Sequence, residues 1–69
     1  MKNSKLSLTT PMEILGAALS KEKAAYDFYE KLLENTSIGM LQEIIEHLLQ
    51  EEYKHIQLIE KKMAALRSS

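Results

Sequence analysis

The 69-residue chain has no cysteine and no tryptophan, one proline, two glycines and one phenylalanine. Without cysteine there can be no disulfide, thiolate zinc site, iron–sulfur cluster or rubredoxin-type electron-transfer centre, and composition leaves the redox compartment open. No apolar run reaches membrane-spanning length, and the N-terminal MKNSKLSLTT lacks the apolar core of a signal peptide, so a soluble, cytoplasmic protein is expected. An excess of one charge is also missing. Nine Lys and Arg stand against ten Asp and Glu, interleaved along the chain, and this offers no basic face for a nucleic acid. Few breakers in a chain that is 45% hydrophobic argue against a largely disordered polymer and suit long helices. A chain this short seldom buries enough apolar surface to be stable alone. With no covalent staple, the stabilisers left are a second subunit or a metal held by oxygen and nitrogen donors.

The start of a first helix is written in Thr10-Pro11-Met12-Glu13: a capping Thr, Pro at the first helical position, and Glu three residues after the cap. Steps of three and four through Met12, Leu15, Leu19, Glu22, Tyr26, Tyr29 and Leu33 define one face and predict a helix from Pro11 to Glu34. Ile14, Ala18, Ala25, Phe28 and Leu32 widen that face into the broad stripe of a bundle helix. Asn35-Thr36-Ser37 and Gly39 form the one break. A second helix, from about Ile38 to Arg67, carries Leu41, Ile45, Leu48, Glu52, His55, Ile59, Met63 and Leu66 in the same rhythm. The expected organisation is a flexible segment over residues 1–10, a helical unit over 11–67 and a short tail at 68–69. Two long amphipathic helices joined by a short turn make an antiparallel hairpin. One hairpin cannot cover both stripes, so the all-α fold expected is a hairpin that dimerises into a four-helix bundle.

Three polar side chains interrupt these apolar seams: Glu22, Glu52 and His55. At a rise of ~1.5 Å per residue, Glu22 and Glu52 lie within roughly one turn of the same height on either side of the break, and so face each other. Glu52 and His55, three apart, are neighbours on one helix surface. Uncompensated carboxylates in a core would be driven to protonate, which implies a cation. Two-fold symmetry doubles the set to four Glu and two His, whose negative charge two divalent metal ions would balance. That is the ligand pattern known for ferritin-like dimetal bundles, in which two helices each give a Glu and the other two each give Glu-x-x-His. Carboxylate and imidazole suit Fe or Mn, and Zn could also bind. The bland reading has Glu22 and Glu52 at the edge of the stripe with His55 a satisfied histidine. Glu51, about 100° round the helix from Glu52, is expected to face solvent. His47 reads as surface or rim, and Lys21, Lys23, Lys31, Lys61 and Lys62 as solvated charges. Tyr26 and Tyr29 are core aromatics, one of whose phenols could also orient a metal-bound carboxylate.

At these residues the sequence resembles the rubrerythrin branch of the ferritin-like superfamily. EKAAYDFYEKL, from Glu22 to Leu32, is similar to that family's first metal helix, with Tyr29 seven residues after the ligand Glu. LLQEEYKHIQLIE, from Leu48 to Glu60, is similar to its Glu-x-x-His helix, with Glu52 and His55 as ligands. Most of the family carries two such helix pairs in one chain. The single pair here resembles half-length relatives, including encapsulated ferritins, whose di-iron site forms across a subunit interface. The resemblance implies two iron ions per homodimer or higher homo-oligomer, and oxidation of Fe(II) by dioxygen or peroxide, or peroxide reduction. Missing rubredoxin cysteines leave no built-in electron donor. Nothing in AALRSS resembles a shell-targeting extension, so the sequence gives no support for an encapsulated cargo. The alternative is a non-catalytic helical dimerisation module with a structural metal or none.

Overall fold

The computed structural model describes residues 10–68. Apart from Thr10, the segment expected to be flexible lies outside them, as does Ser69. Two helices account for nearly all of the described chain: α1 over Pro11–Glu34 and α2 over Gly39–Arg67. The start of α1 forms as its sequence dictates. Thr10 Oγ1 accepts the Glu13 amide at 3.1 Å, and Glu13 Oε1 accepts the Thr10 amide at 3.1 Å, a reciprocal cap of the kind that contributes about 1 kcal/mol. At the other end, Asn35 Nδ2 donates to the Lys31 carbonyl at 2.7 Å, and the Asn35 amide closes the last turn. The second helix begins at Gly39 rather than Ile38, because Ile38 has an extended backbone and serves as the cap. It has no capping side chain. Gln42 Nε2 instead reaches back to the Thr36 carbonyl at 3.0 Å and ties the turn to the first turn of α2.

The helices run antiparallel, with Leu15, Leu19, Tyr26 and Leu33 of α1 half-buried against Ile45, Leu49, Ile56 and Ile59 of α2. Leu41 and Leu66, assigned to the seam by their periodicity, are 42% and 41% exposed. They sit close to the two ends of α2. The decisive fact about packing is that no described residue is fully buried. Two helices form a single layer, and a single layer cannot enclose a core.

The two broad sides of the hairpin differ in chemistry. At ~100° per residue, Ile14, Phe28 and Leu32 of α1 fall on the same side of the seam as Ile44 and Leu58 of α2. All five are between 39% and 58% exposed, and together they form an open apolar face. The reverse side mixes polar groups with Tyr26, Leu33, Leu49 and Tyr53. There Lys23 Nζ lies 3.9 Å from Glu60 Oε2, across the helices. Beside that pair, Tyr26, Leu49 and Tyr53 line a shallow groove with Glu46, Gln50, Lys54 and Gln57.

A candidate metal centre

Midway along the hairpin, Glu22, Glu52 and His55 converge. Each offers one ligand atom, and these atoms lie within 4.8 Å of one another, the sole such group of three among the described residues. The seam positions them. Glu22 and Glu52 point between the helices, with side chains 24% and 17% exposed, while His55, one turn along α2, stands 52% exposed on the open apolar side. His55 Nδ1 is 3.3 Å from Glu22 Oε1 and 3.7 Å from Glu52 Oε1, so the imidazole sits over the carboxylate pair.

Two carboxylates this close cannot both ionise without cost. With both charged, Glu52 Oε1 is buried and has no hydrogen-bond partner. One shared proton relieves the conflict. The hydrogen bond with Glu22, then burial and the Glu22 charge, hold the Glu52 carboxyl above the usual carboxylate range. The same hydrogen bond from Glu52 lowers Glu22, and His55 and, more weakly, Lys21 add to this against the effect of burial. A cation would satisfy all three groups at once. An orphaned carboxylate oxygen beside a second carboxylate and an imidazole is a hard-to-intermediate donor set, which fits Fe or Mn and admits Zn.

A family model described as rubrerythrin matches residues 13–69, which takes in both helices and all three converging residues. The chain belongs to the rubrerythrin family. No curated protein and no solved structure gives a match. Rubrerythrins belong to the ferritin-like superfamily and typically bind iron, so membership and the local chemistry point to the same class of ligand.

The other residues singled out by sequence occupy more ordinary places in this rubrerythrin hairpin. Tyr29 is half-buried and its ring centroid lies 5.7 Å from that of Phe28; its hydroxyl makes no hydrogen bond to either carboxylate among the described residues. His47 is exposed. Glu51 was expected to face solvent, and its side chain is 42% exposed, lying 3.5 Å from Lys54 Nζ at the margin of the open face. Lys21 is exposed, in keeping with its reading as a solvated charge. It belongs to the row Ile14–Lys21–Phe28, spaced by seven along the open edge of α1, and it falls at the height of Glu22. The seven-residue phase was visible in the sequence, but which side of the hairpin it faced was not.

No helix among the described residues is long and apolar enough to cross a membrane.

Proposed function

We propose that two copies of this hairpin dock through their open apolar faces into a ferritin-like four-helix bundle, and that Glu22, Glu52 and His55 of each copy hold two iron ions at the shared interface for ferroxidase-like oxidation. The observation that carries the reading is the coincidence of the Glu22–Glu52–His55 cluster, its unsatisfied carboxylate oxygen included, with the side of the hairpin that leaves Ile14, Phe28, Leu32, Ile44 and Leu58 uncovered. A dimer covers the apolar side chains and balances four carboxylates with two divalent cations, so one event answers both problems.

When bound, two ferrous ions supply one electron each to dioxygen or peroxide. The protein's part is to hold and to neutralise. Glu52, the least exposed of the three, would be the donor shared between the ions, and Glu22 and His55 would complete the set. His55 must bind as the neutral imidazole, and its present contact with Glu22 fixes the ring over the site. Tyr29 orients a carboxylate once the bundle closes around it. The apolar residues above and below the cluster keep water from the carboxylates. Electrons for repeated cycles come from outside the chain, which has no cysteine-based relay.

Metal affinity should fall as pH drops through the raised Glu52 range, because the proton shared by Glu52 and Glu22 must leave before both oxygens can bind a cation. Titrating Co(II) at stepped pH should show proton release that grows as the pH is lowered into the range where Glu52 holds its proton. For the metal-free fold the two carboxyls oppose each other. Glu52, raised, contributes stability that is present at low pH and lost as pH rises through its folded value; Glu22, lowered, contributes stability present at higher pH and lost as pH falls through its own. These windows lie on opposite sides of the ordinary carboxylate value, so the metal-free protein should lose melting temperature as pH rises through the Glu52 range, the same window in which metal binding strengthens.

Native mass measurement with and without chelator tests the whole reading. Dimers carrying two metals per pair, oxidising Fe(II) on exposure to oxygen, are expected. A metal-bearing dimer that never turns over would reassign the site as structural, and a metal-free dimer would leave only a docking module.

A further inference from the structure

We propose that the groove on the reverse side of the hairpin seats the last two turns of α2 from another copy, so that dimers associate further through a contact of opposite charges. The inference goes beyond the dimer reading and uses only surface that the dimer leaves outside.

The chain has a formal net charge of −1, yet its charges are divided along the hairpin. Toward the turn, the groove floored by Tyr26, Leu33, Leu49 and Tyr53 is edged by Glu46. Glu30 follows Lys23 by seven residues and Glu34 follows Glu30 by four, so both turn to the side that carries the Lys23–Glu60 pair. Glu30, Glu34 and Glu46 are exposed, and none has a cation within pairing distance among the described residues. Of the cations on this side, Lys23 is engaged with Glu60, and Lys54, which lines the groove, with Glu51. The opposite end of the hairpin is basic. Lys61, Ala64 and Arg67 follow one another by three along α2, all exposed, and neither Lys61 nor Arg67 has a carboxylate within pairing distance among the described residues.

Each patch therefore supplies what the other lacks. The small Ala64 lets that stretch of α2 lie close to the groove, Lys61 meets Glu46, and the Arg67 guanidinium gains aromatic faces to stack on. The contact also covers Tyr53, which is 53% exposed in the single chain. One chain cannot make this contact with itself: Glu46 and Lys61 lie on the same helix and are about 22 Å apart along it. A contact that joins two different patches repeats from copy to copy, into a ring if the rotation closes and an open array if it does not. Exposed ion pairs are individually weak and are screened by salt, so the contact is populated at high protein concentration and low ionic strength, and the dimer stands alone elsewhere.

Sedimentation velocity of the full chain over a concentration series, at low and at high salt, tests this. Species heavier than the dimer should grow with concentration at low salt and fall back to the dimer at high salt. Glu46→Lys and Lys61→Glu should each lower the association constant of the heavier species about tenfold or more, and the two together should return it to within about threefold of the starting value. Since these positions cannot meet within one chain, such a rescue comes only from contact between copies. Tyr53→Asp should remove the heavier species and leave the dimer. A protein that stops at the dimer at every concentration and salt overturns the proposal and leaves the dimer standing. Heavier species indifferent to both charge reversals, or a double substitution without recovery, overturn it as well. A chain that sediments as a single hairpin throughout takes the dimer down with it.

Discussion

Purified after Glu52→Ala substitution, the protein should contain no stoichiometric metal while its far-ultraviolet circular dichroism stays helical. Each copy loses its most enclosed oxygen donor, and a dimer loses two of four carboxylates. Loss of groups that merely orient ligands already costs about 10- to 100-fold in affinity, so removal of a bridging ligand should exceed that range. Metal-free stability should move the other way. Glu52 Oε1 is buried without a partner when ionised, and deleting it removes a desolvated group that nothing compensates. His55→Ala should give a milder result, lowered metal content with intact helicity, because the imidazole is half exposed and neutral when it binds. Elemental analysis beside thermal melts of the chelated proteins checks both. Full metal occupancy in Glu52→Ala would remove this residue from the site and with it the proposed bridge.

An even larger effect is expected from Phe28→Asp. Phe28 is 58% exposed in the single chain and lies on the open face, so in the proposed dimer it would be covered twice, once from each copy. Burying a side chain of this kind is worth about 1.5–3 kcal/mol, and an aspartate in its place adds the cost of enclosing a charge. Summed over two copies, the dissociation constant should rise by at least about a thousandfold. Tyr53 supplies the control, since it is 53% exposed, nearly as much as Phe28, but faces the reverse side. Tyr53→Asp should leave the dimer intact. Sedimentation velocity on the two variants decides the matter: equal masses for both would mean that the open face is not where copies meet.

The hairpin was legible in the sequence because its signals are local. Thr10, Pro11 and Glu13 set one end of α1, Asn35 the other, and the spacing of Leu15, Leu19, Tyr26 and Leu33 gives the buried side directly. The start of α2, expected at about Ile38, falls at Gly39 with Ile38 as its cap, a boundary that no capping side chain marks. Height arithmetic across the turn brought Glu22 opposite Glu52, and a three-residue step brought His55 beside it. Depth was not readable in the same way. Periodicity reports the direction in which a side chain points and not how much of it is covered, so Leu41 and Leu66 share the phase of the seam yet are 42% and 41% exposed. Glu51 lies between solvent and rim for a related reason: a residue about 100° from the seam is at its margin, and its contact with Lys54 decides the rest. Tyr29 shares the face of Glu22, yet two turns of helix separate them, and within one chain its hydroxyl meets neither carboxylate.

That no described residue is fully buried changes what kind of event folding is. In the proposed dimer these residues, which have no dry interior of their own, would complete their tertiary structure only by meeting a second copy, and the melting point would become a function of how much protein is in the tube. Dilution would then act as a denaturant does.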